Sequence, residues 1–381
     1  MTNQLTIVGG GINGLSAAFH AARRGLKRIA LVDRFQLGHN RGSSHDKSRV
    51  TRSAYVNQDY VSLMQVAHES AWPEMASVLD RQLIYPCDGC FFGPPGSKYD
   101  SYASAVNELG VDCVEIPAGE ARKRYPAFRF DNTQGVLVDK TAGLVAAEET
   151  MSGLTRHARE HVDIIEDCRV TEIDLTHDPI RLETESGEIT TEALIVTAGP
   201  WVRQLVPQLQ SRVTVARQTI GYAMLDMPEE SHRLGSFPVW GYLGGENTLG
   251  AYGLPEFDRP GMKVAKHVIR GRDDNPDNPS EPSAQEIDEL KSFVAECFAP
   301  DLTRFVDIET CHYTNTIDED YIIDHHPDND RCVVGSGFSG HGFKLGPVTG
   351  RALVDIVIDG RPTDETFRES WDRFRFVKDK T

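Results

Sequence analysis

Near the N-terminus, Gly9-Gly10-Gly11-Ile12-Asn13-Gly14 has the G-x-G-x-x-G spacing of a phosphate cradle. Gly9 permits a tight turn, Gly11 lets the backbone approach a pyrophosphate, and Gly14 lets a helix pack close to the strands. The pyrophosphate then sits at the helix N-terminus, where free N–H groups and the dipole favour negative charge. Nineteen residues after Gly14 stands Asp33, whose carboxylate can accept from both hydroxyls of a ribose and disfavours a 2′-phosphate. The motif is specific only in context, and the context is present. An apolar run at 5–8 precedes it, an alanine-rich helical stretch at 15–24 follows, and a second apolar run at 29–32 ends at Asp33. This is the strand, turn, helix, strand, acid order of a dinucleotide-binding unit.

Two further stretches carry chemistry. Residues 42–52, Gly42-Ser43-Ser44-His45-Asp46-Lys47-Ser48-Arg49-Val50-Thr51-Arg52, set His45, Arg49 and Arg52 close together. Taken alone such a loop is solvated, but loops at strand ends of a dinucleotide fold face the ligand crevice. Near the C-terminus, a strand at 332–336 leads through a glycine-rich turn, Gly337-Phe338-Ser339-Gly340-His341-Gly342, into a helix over about 343–358 with Lys344 in its first turn. Between these, Ala198 and Gly199 follow an apolar strand at 193–197 and are small enough for a cofactor's backbone to pass closely. Cys87 and Cys90 form a single C-x-x-C. Zinc needs four ligands and no matching pair exists, so the pair reads as a structural turn between strands, with a redox or metal role as the alternative.

The chain that positions these residues has 381 of them, which suits two domains. No run approaches the roughly 18 apolar residues of a membrane span, and the formal charge of −17 disfavours non-specific binding to nucleic acid or an anionic membrane. Seven cysteines, odd in number and without framework spacing, suggest a reducing cytoplasm. The glycine motif begins so early that no signal or transit peptide is expected before it. Residues 34–53 read as a polar loop, and Asp59 is the expected N-cap of a helix running to about 79. Short strands are expected at 83–85, 90–92, 113–116 and 135–138, a helix at 147–160, and a strand meander at 162–165, 169–175 and 180–184. A long strand at 213–225, strands at 238–242 and 249–252, an exposed loop at 272–283 and an amphipathic helix at 284–298 complete the pattern. The fold class is α/β: a Rossmann-like dinucleotide-binding domain (1–82, 140–210 and 308–381) with a second, β-rich α+β substrate domain (83–139 and 211–307).

Taken together these residues resemble the monomeric sarcosine oxidase and N-methyltryptophan oxidase family, flavoenzymes that oxidise secondary amines. The glycine motif, Asp33 and the loop through Ser53-Ala54-Tyr55 fit it. Cys311-His312-Tyr313-Thr314-Asn315-Thr316, with 318–324, resembles its flavin-attachment stretch. The turn 337–344 resembles its C-terminal flavin-binding turn, and Gly261-Met262-Lys263 with His267 its oxygen-site segment. The likeness runs in order over nearly the whole chain. It departs at Ser44, where a second histidine often precedes the first, at His312, where an apolar or small residue is expected, and in the charged segment 255–260.

The resemblance implies that the first domain is a glutathione-reductase-like FAD-binding domain, with FAD bound by Gly9, Gly11, Gly14, Asp33, Ser43, Arg49, Ala198, Gly199, Gly340, Gly342 and Lys344, and with a thioether from Cys311 to the flavin 8α-methyl. His45 and Arg49 would lie against the flavin ring. Arg52 and Lys344 would hold a substrate carboxylate, with Tyr252, Tyr313 and His267 lining the substrate. Lys263 would sit on the other flavin face and speed the reaction with oxygen. Without the resemblance, Lys263 reads as a surface lysine and Cys311 as a buried apolar cysteine. The implied activity is oxidation of an N-alkyl amino acid such as sarcosine by O2, giving imine and hydrogen peroxide, in a cytoplasmic monomer with no nucleic-acid or membrane partner. Pipecolate, proline and fructosyl amino acids are alternative substrates. A dehydrogenase, a subunit of a larger complex and a non-redox flavoprotein are alternative functions.

Overall fold

The structure, a computed structural model, describes residues 1–244, 250–268 and 273–376. Its strands fall mainly on two eight-stranded sheets. In the first, Asn3–Val8 lies between Ile29–Val32 and Gly187–Val196, parallel to both, with Val8 opposite Val32 and Val196. Asn329–Ser336 joins Gly187–Val196 in parallel beyond it. These strands read as unbroken apolar runs because both faces are covered. All four residues of Ile29–Val32 are buried. The helix Ile12–Arg23 packs over them beside the helix Gly346–Asp359. The hairpin of Val170–Asp174 and Ile180–Thr184 extends the sheet on one side. Asp163–Ile165 closes the other edge, pairing parallel with Ile29–Val32, and so does not join that meander.

The second sheet runs in the order Leu302–Thr316, Val213–Leu225, Met262–Lys266, Ala251–Leu254, Val239–Tyr242, Gly89–Phe92, Val136–Asp139, Cys113–Ile116. The long pair at its edge aligns Gln218 with Cys311 and Ala216 with Tyr313, and the next strand puts Lys263 opposite Tyr222. Period-two alternation then gathers Ile220, Tyr222, Ala265, Cys311, Tyr313 and Tyr252 in one cluster. A separate core of Trp240, Phe293 and Phe298 packs the helix Ala284–Cys297, which begins in a Ser283–Glu286 capping box. The boundary expected at 308 falls inside the continuous strand Leu302–Thr316, all of which belongs to this second sheet.

Other expectations are corrected. The polar loop expected through residue 53 contains a strand, Ser48–Thr51, paired antiparallel with the wholly buried Gly143–Ala146 so that Arg49 faces Val145. The helix expected to start at Asp59 is capped by Asn57, whose side chain accepts from the Asp59 N–H. It passes through one π-helical turn, Ala67–Ala71, before Trp72–Leu79. Leu249, the start of an expected strand, and Arg272, the start of an expected loop, lie outside the described residues. Cys87 and Cys90 are free thiols, and among the described residues no group of His, Cys, Asp and Glu could hold a metal ion. Among those residues no helix is long and apolar enough to cross a membrane.

Candidate active site

One cavity of about 1410 Å³ runs between the two sheets. Pockets for a single drug-sized ligand occupy roughly 300–1,000 Å³, so this one has room for a dinucleotide and a second small molecule. The glycine turn forms one end. Gly9 has φ +102°, and a Cβ there would lie 2.4 Å from Thr197 O; one at Gly14 would lie 1.8 Å from Gly9 O. Both positions therefore exclude a side chain. Asp33 is buried and braces the turn: Oδ2 accepts from Gly10 N at 2.6 Å and Oδ1 from Phe35 N at 2.8 Å. The Ile12 N–H, one of the orphan donors of the helix start, is met by Ser44 Oγ at 3.0 Å. Ala198 and Gly199 line the cavity from the strand end opposite.

Residues 42–54 form a wall fixed at three points. Ser44 ties it to the N-terminal helix. The Ser43 hydroxyl donates to His312 O in the second sheet, so this side chain is occupied in holding the wall. At the far end Asp139, fully buried, accepts from Ser53 N at 2.8 Å and Ala54 N at 2.9 Å through Oδ2. Within the wall Arg49 donates to Ser48 O at 2.9 Å, Ser43 O at 3.0 Å and His45 O. Arg49 thus clips the loop's carbonyls together as well as lining the cavity. His45 Nδ1 is buried without a hydrogen-bond partner among the described residues. Burial, then Arg49, pushes its pKa down to about 4, so the imidazole is neutral at neutral pH and the charge beside it belongs to Arg49.

From the second sheet, Cys311, Tyr313, Tyr252 and Lys263 face the same cavity. Cys311 is buried; burial pushes the thiol up, while Arg49 and Lys263 pull it down. Tyr313 OH donates to Tyr252 OH at 3.0 Å. His267 lies with its ring centroid 5.6 Å from that of Tyr313, and burial, then Arg52, lowers its pKa to about 3. His312, on the other face of the strand, meets Asp274 Oδ2 at 2.9 Å, which accounts for a polar residue at that place. Lys263 is not a surface lysine: it is 2% exposed and ion-paired to Asp46.

Two cations from opposite ends of the chain, Arg52 and Lys344, meet over Tyr55. Arg52 Cζ lies 4.2 Å and Lys344 Nζ 5.7 Å from its ring centroid. Arg52 Nη2 donates to Tyr102 OH at 3.3 Å, and Arg52 Nη1 is buried with no partner among the described residues. The ammonium of Lys344 is pushed well down by burial and then by Arg52 and Arg49; no acid offsets them. Its backbone is pinned by Trp72 Nε1, which donates to Lys344 O at 2.8 Å. Gly340 and Gly342 carry the turn along the cavity wall before it.

Every site residue expected from the sequence lines this cavity except Gly14, which packs beneath the turn. The sequence alone assigns no site role to Ser44, Asp46, Tyr55, Tyr102 or Asp139. Ser44, Asp46 and Tyr55 stood in stretches already marked, Ser44 as a departure from the family; nothing local marked Asp139, which acts on a segment distant in sequence. A glycine cradle that a Cβ would fill, a buried acid near its end and the unpartnered His45 Nδ1 fit a bound flavin dinucleotide.

Comparison with known proteins agrees with this geometry. The family profile "FAD dependent oxidoreductase" matches residues 4–356. Human peroxisomal sarcosine oxidase is 31% identical over 370 residues, covering 94% of this chain and 92% of that protein. Monomeric sarcosine oxidase from a Bacillus species is 28% identical, with 93% and 92% covered. N-methyl-L-tryptophan oxidase of Yersinia pestis is 27% identical, with 98% and 100% covered. Among solved structures, NikD, described as an unusual amino acid oxidase, superposes with a TM-score of 0.80 at 18% identity, all of both chains being covered. Glycine oxidase from Geobacillus kaustophilus superposes at 0.77 with 16% identity and 99% of each chain covered.

Proposed function

Because the chain belongs to the FAD-dependent oxidoreductase family and its relatives oxidise sarcosine and N-methyltryptophan, we propose that it is an FAD-dependent oxidase of an N-alkyl α-amino acid such as sarcosine, with O2 as acceptor. The observation that carries the substrate class is the pair Arg52 and Lys344, two buried cations over one aromatic ring, one with an unpartnered nitrogen. Buried like charges disfavour one another unless an anion shares the site. The turn at Gly9–Gly14 serves the cofactor's pyrophosphate, so the substrate's carboxylate is the anion left for this pair.

FAD, when bound, would supply the redox chemistry: a two-electron acceptor for the hydride equivalent on the carbon beside the amine, reoxidised by oxygen. The protein binds, orients and sets charge. The turn of Gly9, Gly11 and Gly14, where no side chain stands in the way, would hold the pyrophosphate, and Asp33 would meet the ribose with the lone pairs that Gly10 and Phe35 leave free. Arg49 and neutral His45, both on the cavity wall, would lie against the ring. Arg52, as a planar fork, and Lys344, as a point charge, fix the carboxylate. Neutral His267 and the Tyr252–Tyr313 pair line the amine without adding charge that would repel a protonated substrate. The imine product leaves and is hydrolysed to an aldehyde and an amino acid. We read the protein as a monomer, as the names of its bacterial relatives suggest, and as cytoplasmic, from its seven unpaired cysteines.

A peroxide-release screen tests the function. Sarcosine or an N-methyl aromatic amino acid should give the highest kcat/KM, against pipecolate, proline and fructosyl amino acids. Peroxide from none of these, with no bleaching of the flavin by any of them, would sink the oxidase reading.

Attachment has its own test. Cys311 is held on the cavity face of its strand, between the pull of Arg49 and that of Lys263. If its sulfur is bonded to the flavin 8α-methyl, acid-precipitated protein stays yellow, and Cys311→Ala releases FAD into the supernatant on the same treatment. Free FAD from the native protein would show that the link does not form.

A further inference from the structure

Lys263 Nζ donates to Asp46 Oδ2 and, at 3.4 Å, to Ser48 O. The two side chains are 2% and 1% exposed. Asp46 occupies φ +92°, a backbone conformation that a residue with a Cβ rarely adopts. Strain of this kind persists where the surroundings over-determine it and clusters at functional sites. Here the surroundings are ionic. Arg49 Nη1 lies 3.4 Å from Asp46 Oδ2, and Arg259 Nη1 lies 3.9 Å from Oδ1. Arg259 is itself held from outside by Asp307 and by Glu309 at 2.8 Å, with its Cζ 3.6 Å from the Tyr222 ring centroid. The carboxylate therefore stands between the cavity lysine and an arginine anchored near the surface. This explains the charged segment around 255–260.

Burial and Arg49 both favour the neutral amine at Lys263, and Asp46 opposes them. Asp46 is held well below the usual carboxylate range by Lys263 and Arg49 against the cost of its own burial. We propose that Asp46 is a positioning residue that anchors the Lys263 ammonium on the cavity wall and keeps it charged. That part stands on the geometry alone; its kinetic consequence rests on the reading of Lys263 as the oxygen-side cation.

The other groups facing Lys263 do not change state near neutrality. His45 on the same loop is already neutral. On the neighbouring strands Tyr222, Tyr252 and Cys311 are all pushed up by burial, and Arg49 and Arg259 stay charged. A new transition near neutrality therefore reports Lys263.

The test titrates the visible spectrum of the oxidised holoenzyme, without turnover, from pH 6 to 9. The native enzyme should be flat over this range. Asp46→Asn should show one transition inside it, absent from the Asp46→Asn, Lys263→Met double variant. Asp46→Gly, which relieves the backbone and also lacks the carboxylate, should behave as Asp46→Asn does and serves if the latter fails to fold. The rate of oxygen with the reduced variant should fall at least tenfold across the same midpoint, and Asp46→Glu should restore the flat profile. A flat titration in both carboxylate-free variants, or a transition that survives Lys263→Met, overturns the proposal. A transition without any change in the oxygen rate upholds Asp46 and instead refutes the oxygen role of Lys263.

Discussion

Replacing Lys263 by methionine should slow reoxidation of the reduced flavin by roughly 10²–10⁴-fold while leaving anaerobic reduction by substrate much less changed. Methionine keeps much of the stem volume, so the change removes charge with little loss of packing. A preorganised charge in a desolvated site is worth about 3–5 kcal/mol where negative charge develops on the reacting molecule. Lys263 is nearly fully buried, and its ammonium is fixed by Asp46 rather than free to swing. The variant also leaves Asp46 without its lysine, but Arg49 and Arg259 still face it. Stopped-flow measurement of the two half-reactions separately decides the matter. Equal slowing of both would remove Lys263 from the oxygen step.

Arg52→Ala and Lys344→Ala should each raise the dissociation constant of a carboxylate inhibitor by roughly 30-fold or more. Truncating one partner of a buried, hydrogen-bonded charge pair costs about 2–5 kcal/mol, and 2 kcal/mol corresponds to about 30-fold in affinity. Arg52 brings the larger geometric demand, because its fork is already aimed by Tyr102 and by the Tyr55 ring. Decarboxylated analogues should lose a similar factor against the native enzyme and far less against either variant. If dimethylamine or N-methyltryptamine reduces the native flavin as readily as the matching N-methyl amino acid, the clamp does not exist and the substrate is a simple amine.

The parts legible from sequence are those fixed by local physics. The first βαβ unit could be read because its strands are buried on both faces and its glycines meet backbone that no Cβ could pass. The stretch of Cys311 and Tyr313 was marked only by the resemblance, and the polar His312 looked out of place until alternation put it on the opposite face, against Asp274. The strand Ser48–Thr51 was hidden because its polar residues gain strand conformation from the buried partner Gly143–Ala146, not from their own pattern. Asn57 and Asp59 are equally good caps by type, and only the bond from Asp59 N decides between them. The Asp46–Lys263 pair spans a sequence separation of 217 and carries no local mark at all. Charge pairing across a cavity is a property of the assembled walls.

The wall at 42–54 is tied to the N-terminal helix through Ser44, to the second sheet through Ser43, and to that sheet again through Asp139. Arg49 and Arg52 therefore take their coordinates from both halves of the molecule at once. A hinge needs a few residues free to absorb a change in φ and ψ, and here the carbonyls of Ser43, His45 and Ser48 and the amides of Ser53 and Ala54 are already committed. Breathing of the cavity must then spare this side, and the two guanidinium groups need little reorientation when charge moves across the bound flavin. The solvent's usual share of the barrier, the turning of dipoles toward new charge, was met when the chain folded.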